Sequence, residues 1–158
     1  MPDKKIVYRR ATRKDLPDIR KFVDYWLSGR AKAKGIKNAG NDYFVTYNQH
    51  RSYIKNCYVW LALDNNLIVG WGVKQKNNVM IHLLVDANYR GRGIGAKMLE
   101  LMNPDIIRSK SDQMTGDPAT FYEKHGYMKI SQKTMVGKKR NIDLMVKRCK
   151  KSLQEKIN

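Results

Sequence analysis

The sequence predicts an α/β (α+β) domain built on a single mixed, mostly antiparallel sheet of about six to seven strands with flanking helices. Three observations carry this expectation. Strand-like runs at residues 57–63, 67–74 and 79–85 follow one another across Asp- and Asn-rich turns, as in a meander. The last of them runs straight into a Gly- and Arg-rich turn, residues 89–96, that opens an amphipathic helix. A final strand pair, residues 127–136 and 142–147, closes the regular part of the chain.

Each element has its own signal. Residues 6–11 read as a short strand, and Thr12 with Asp15 reads as a capping box that uses the shorter carboxylate. Leu16, Ile19, Val23, Trp26 and Leu27 then recur at helical spacing, so a helix runs to about Leu27. Residues 28–41 are the least regular stretch, with three glycines, no acid, and Arg30, Lys32, Lys34 and Lys37. A second short helix is expected over residues 47–55, ending near Asn56. The strand at 67–74 reads as broken by Gly70 and Gly72. Asn103-Pro104 stops the helix after the Gly/Arg turn. A fifth strand is expected at 106–109, then a polar loop at 111–116, with Asp117-Pro118 opening a helix over 119–125 that Gly126 ends. The closing hairpin turns at 137–141, through Lys138, Lys139 and Arg140.

Composition narrows the function classes. At 158 residues the chain reads as one domain, 1–158, with a core over about 6–148 and a basic tail at 149–158. Cys57 and Cys149 stand far apart without metal-ligand spacing, so no metal is expected and two free thiols suit a reducing cytoplasm. Residues 1–5 lead into no apolar segment of signal-peptide type, and no apolar run approaches the roughly 18 residues of a membrane span. The charge is extreme, with 32 Lys plus Arg against 14 Asp plus Glu and a formal net of +18. A few cations suffice for one phosphorylated cofactor. The remainder suggests an anionic partner, DNA, RNA or a ribonucleoprotein, and argues against a free polycation. Residues 28–41 carry phosphate-seeking charge, and Tyr43, Phe44, Tyr47 and Tyr53 follow them, where some could stack on bases and others fill the core.

The Gly/Arg turn is where the chemistry concentrates. Glycines between a strand and a helix let backbone amides and the positive helix end face an anion. The turn lacks the Lys-Ser/Thr ending of a Walker A loop, and residue 98 is Met, where a dinucleotide fingerprint needs its third glycine. What fits is Arg-x-x-Gly-x-Gly at Arg90, Gly93 and Gly95. This resembles the acyl-CoA loop of the GNAT N-acetyltransferase superfamily. A second segment is similar to a GNAT landmark as well: Ala119-Thr120-Phe121-Tyr122-Glu123-Lys124-His125-Gly126-Tyr127, a short helix carrying a Tyr and ending in Gly-aromatic. Its Ala falls three residues before Tyr122, a small departure from the family's spacing. The strand–helix opening, the meander and the hairpin extend the resemblance over roughly 6–148.

The resemblance implies a GNAT fold splayed at the acyl-CoA site, acetyl-CoA or another acyl-CoA as cofactor, and an amine attacking the thioester directly. It implies that backbone of Leu83, Leu84 and Val85 pairs with the pantetheine arm. The amides from Gly91 through Arg92, Gly93, Ile94 and Gly95 to Ala96 would hold the pyrophosphate, with Arg90, Arg92 and Lys97 adding charge. Tyr122 matches the family's general acid, which protonates the leaving thiolate. The base is open. His82 titrates near neutrality on the strand before the loop. Asp112, with Ser111 beside it, is another candidate; Asp86 reads as a turn residue, and His50 and His125 as structural or surface groups. Arg30, Lys32, Lys34, Lys37 and Tyr43 would border the acceptor.

The leading expectation is an acyl-CoA-dependent N-acyltransferase whose acceptor amine lies on or near nucleic acid, acting as a monomer or homodimer without a membrane. A small-molecule or protein amine acetyltransferase with incidental charge, and a non-catalytic nucleic-acid-binding module, stay open. So does an acyl group other than acetyl, including a glycyl-type base modification.

Overall fold

The structure, a computed structural model, describes residues 5–27, 45–112, 119–134 and 140–148. Arg30, Lys32, Lys34, Lys37, Tyr43, Phe44, Cys149 and the turn residues 137–139 lie outside the described residues.

Seven strands form one sheet in the order β1-β2-β3-β4-β5-β7-β6. These are β1 (Val7–Arg10), β2 (Cys57–Asp64), β3 (Leu67–Gln75), β4 (Val79–Val85), β5 (Ile106–Asp112), β6 (Tyr127–Thr134) and β7 (Arg140–Lys147). All neighbours are antiparallel except β4 and β5. Helices α1 (Leu16–Leu27) and α2 (Tyr47–Asn56) cover one face, and α3 (Ile94–Met102) and α4 (Ala119–Lys124) cover the other. Among the described residues no helix is long and apolar enough to cross a membrane.

The capping box at Thr12 and Asp15 is present. Asp15 also takes both guanidinium nitrogens of Arg9 at 2.8 Å, which ties the edge strand to the start of α1. Ile19, Phe22, Val23 and Trp26 then bury one stripe of α1 against Val59, Leu61, Trp71 and Val73 of the sheet. A second capping box, Thr46 with Gln49, starts α2.

Gly70 and Gly72 do not break β3. Its pairing with both neighbours runs through them. A Cβ on Gly70 would stand 2.7 Å from Met98 Sδ, and one on Gly72 would stand 2.6 Å from Met102 Sδ. The two glycines let α3 settle close on the sheet, a packing role that sequence periodicity reads as an interruption.

Two other boundaries differ from expectation. Strand β5 continues to Asp112, because Ser111 and Asp112 pair with Asn141 and Arg140. They are strand residues, not part of a loop. Strand β7 likewise begins at Arg140 rather than Ile142. Both extensions are polar, and the ladder to the neighbour, not hydrophobic alternation, holds them in the sheet.

The slot that matters for function lies between β4 and β5. Their parallel ladder comprises Val79 with Ile106 and Met80 with Ile107. Beyond it, β4 stays with β3 through Val85, and β5 stays with β7 through Asp112. A bulge falls at the same point. Val73 opposes His82 and Lys74 opposes Met80, so Ile81 is an extra residue in β4. Bulges bend the strand that carries them and re-aim its side chains. Here the bend begins where the ladder to β5 ends.

Candidate active site

The loop after β4 is held by its own side chains. Asp86 accepts from the backbone N–H of Asn88 at 2.8 Å through its side chain and from that of Tyr89 at 2.9 Å through its carbonyl. Asp86 is thus a turn residue, as expected. The Tyr89 hydroxyl donates to Asp64 Oδ2 at 2.6 Å and moors the loop to the end of β2. The Arg92 guanidinium lies 4.6 Å from the centre of the Tyr89 ring. Lys97 sits 3.8 Å from Glu100. Both cations therefore have protein neighbours, and the amides behind them form the fixed part of the loop.

Gly91 and Gly93 have φ of +80° and +79°, a left-handed conformation that side chains rarely adopt. Gly93 caps α3 without a side-chain bond, and the backbone bond from Lys97 N–H to the Gly93 carbonyl closes the helix's first turn. The amides of Ile94, Gly95 and Ala96 precede that bond and need a partner from outside the helix. Ile94 is buried beneath them and fixes the helix end. The helix start and the end of β4 thus meet at the mouth of the slot, where, among the described residues, Leu83, Leu84 and Val85 pair with Gly72, Trp71 and Gly70 on one side only.

Tyr122 lies at the bottom of the slot on the α3/α4 face. It is 6% exposed, in a cluster with Met80, Leu99, Ile107, Tyr127 and Met145. Met80 and Ile107 are the last β4–β5 pair, so Tyr122 stands where the strands begin to part. Burial first, and the nearby Tyr127 second, pushes its phenol well above the usual value. Phe121 beside it touches the loop, and a Cβ on Gly95 would lie 3.3 Å from Phe121 Cζ. Ser109, on β5 two residues past Ile107, has a buried hydroxyl with no hydrogen-bond partner among the described residues.

His82 faces the other way. The bulge leaves both Ile81 and His82 on the α1/α2 side. The imidazole stacks on Trp71, with centroids 4.9 Å apart and planes at 26°, and its Nε2 lies 3.1 Å from the Tyr53 hydroxyl. His50, from α2, is 2% exposed and completes an aromatic group with Tyr53 and Trp71. Its pKa is lowered to about 4, by burial first and by Arg20 second. His50 is a core residue. His125 donates from Nδ1 to the Phe121 carbonyl at 2.8 Å, near the C-terminal end of α4.

The structure thus brings together the β4 edge, the Gly/Arg loop and Tyr122, and places His82 across the sheet from Tyr122. Ser111 and Asp112 lie further along β5, past Ser109. Sequence reasoning did not single out Ser109, Phe121 or the Tyr53–His82 contact as parts of a site. No spacing rule joins Tyr53 to His82, 29 positions apart. Among the described residues no group of three or more His, Cys, Asp or Glu side chains could hold a metal.

Residues 55–129 match the acetyltransferase (GNAT) domain family. The matched segment takes in β2, β3, β4, the Gly/Arg loop, α3, β5 and α4. The described fold agrees with solved GNAT proteins at low identity. The NatC complex bound to Gag peptide and CoA contains a chain that is 18% identical, with a TM-score of 0.63 over 92% of this chain and 99% of that one. The ribosomal-protein-S18-alanine N-acetyltransferase of Escherichia coli is 12% identical, with a TM-score of 0.64 over 92% of this chain and 96% of its own. A candidate streptothricin acetyltransferase of Bacillus anthracis, solved with acetyl coenzyme A, is 17% identical, with a TM-score of 0.61 over 93% and 99%. No curated protein matches. The acceptors named for these three proteins differ in kind, so the GNAT fold alone does not name one here.

Proposed function

We propose that this GNAT domain is an acetyl-CoA-dependent N-acetyltransferase that delivers the acetyl group directly to an amine on or near nucleic acid. The observation that carries the transferase reading is the junction of the β4/β5 slot with the amino end of α3. The residues there fit the coenzyme. Nothing lies within 4 Å of a Cβ on Gly91 or Gly93, so an anion can approach the amides of 91–96 closely. The one-sided edge of Leu83, Leu84 and Val85 can take an extended arm as an added strand. The Ser109 hydroxyl supplies a hydrogen-bonding group that no described residue uses.

When bound, acetyl-CoA supplies an activated acetyl thioester. The chain's own part is to hold and polarise. An amide of the β4 edge can donate to the oxygen that gains charge. Tyr122 keeps a proton on its hydroxyl at neutral pH, because burial disfavours the phenolate. A thiolate, whose conjugate acid has a pKa of about 8.5, has a donor waiting. His82 is the base candidate on the opposite face, with Asp112 and Ser111 further along β5.

The nucleic-acid acceptor rests on charge. The formal net charge of +18 exceeds what one cofactor needs. Tyr47, 44% exposed at the start of α2, has Arg20 4.5 Å and Arg51 5.8 Å from its ring centre. Aromatic and basic groups together suit a base and its phosphate. Arg30, Lys32, Lys34, Lys37 and Tyr43 come shortly before it in the chain.

The test pairs two primary amines with acetyl-CoA, a short oligonucleotide bearing an aminohexyl group and free 6-aminohexanol, and follows CoA thiol release. The oligonucleotide amine is expected to react at least about tenfold better in kcat/KM near 50 mM salt and to lose that advantage as salt rises. Equal rates on both amines at all salt concentrations would leave an acetyltransferase with an incidental charge.

A further inference from the structure

We propose that Tyr53 and His82 form a two-residue proton relay, with the Tyr53 hydroxyl meeting the acceptor amine and the imidazole storing its proton. The inference rests on the acetyltransferase reading and adds a residue and a step to it.

The placement comes from the bulge. Without Ile81 as an extra residue, His82 would fall on the α3/α4 face, by the period-two alternation of a strand. With it, His82 stands on the α1/α2 face, two residues past the last β4–β5 pair. There it is 8% exposed, one ring face lies on Trp71, and Nε2 is engaged by Tyr53. An amine has little direct access to such a ring. Tyr53 is the more exposed member of the pair and belongs to α2, which follows the basic stretch of the chain. Its ring packs tilted against Trp71 and edge-on against His82, at centroid distances of 6.5 and 5.4 Å.

The step balances as one proton moved. The acceptor arrives as an ammonium, R–NH3+, and cannot attack until it loses a proton. Its N–H proton passes to Tyr53 Oη while the Tyr53 O–H proton passes to His82 Nε2. The products are R–NH2, an unchanged tyrosine and an imidazolium. No electrons are transferred. The relay requires neutral His82 to carry its proton on Nδ1, so that Nε2 accepts from Tyr53. Among the described residues, His50 from α2 and Trp71 from β3 are ring neighbours of this pair, and Arg20 of α1 acts on His50. His50 is held neutral down to about pH 4, so it does not compete for the proton near neutrality.

The first measurement needs no acceptor. In the full chain labelled with 15N-histidine, long-range nitrogen–proton spectra at neutral pH are expected to show His82 as the Nδ1–H tautomer. Tyr53→Phe should shift His82 toward the other tautomer. An Nε2–H imidazole in the wild type overturns the relay. The second measurement is turnover on the aminohexyl probes. Tyr53→Phe should lower kcat at least about tenfold, as removal of an acid–base group does, and leave the KM for acetyl-CoA within twofold. His82→Gln should remove the acid limb of the pH–kcat profile, whereas Tyr53→Phe should retain it. Unchanged kcat in Tyr53→Phe also overturns the relay. Calorimetric titration of the wild type with acetyl-CoA separates the two readings: absence of binding sinks the acetyltransferase, while the imidazole spectrum still judges the pair.

Discussion

Gly95 lies against Phe121, with 3.3 Å between the ring's Cζ and the place a Cβ on Gly95 would occupy. The helix that follows the phosphate loop and the helix that carries Tyr122 are thereby in contact. Gly95→Leu should push Phe121 aside and disturb both the amide cradle and the neighbouring phenol. The expected result is at least about tenfold weaker acetyl-CoA binding by calorimetry together with a fall in kcat, a cost of about 1–3 kcal/mol typical of overpacking. Arg92→Ala should do less, about threefold in KM, because its guanidinium already lies on Tyr89. Equal losses from both changes would count against a cradle made of backbone.

Tyr122→Phe keeps the ring and removes the proton donor. It should lower kcat by about 10²-fold, within the range for a general acid, with the KM for acetyl-CoA nearly unchanged. Because burial raises the phenol's pKa, no alkaline limb from Tyr122 should appear in the wild-type kcat profile below about pH 10. Loss of affinity with kcat intact would make Tyr122 a packing residue.

The fold was legible because its strongest signals are local. The runs 57–63, 67–74 and 79–85 are apolar, β-branched and closed by Asn turns, and the structure extends the first two by one residue each at the C-terminal end. The polar end of β5, Lys110-Ser111-Asp112, has no such signal, and only its ladder to Arg140, Asn141 and Ile142 makes it a strand. The loop was legible for a related reason: positive φ at Gly91 and Gly93 demands glycine, so the backbone requirement is written in the residue type. The Tyr53–His82 contact was not. It depends on a one-residue bulge, which period-two reading cannot see in a run such as 79–85, where every residue but His82 is apolar.

His50 should make the fold acid-sensitive. Its folded pKa, about 4, lies below the ordinary 6.5. Between those values the unfolded chain binds a proton that the folded one does not, so stability is full above about pH 6.5 and falls as pH drops toward 4. Urea midpoints for the wild type should decline through that window. His50→Phe, which suits the ring contacts with Tyr53 and Trp71, should flatten the decline. An unchanged slope in that variant would mean that another group carries the acid sensitivity.

Ser109 separates stability from binding. Its hydroxyl is buried and has no partner among the described residues, a state that costs about 1–3 kcal/mol. Ser109→Ala removes that cost and a single oxygen, so the unliganded protein should unfold at equal or higher urea, by up to about 1 kcal/mol. If the coenzyme arm uses the hydroxyl, the same change should weaken acetyl-CoA binding by about five- to tenfold, the worth of one hydrogen bond. The two effects have opposite signs, so general damage to the fold cannot imitate them. A Ser109→Ala protein with acetyl-CoA affinity equal to the wild type would show that the hydroxyl lies outside the coenzyme's reach.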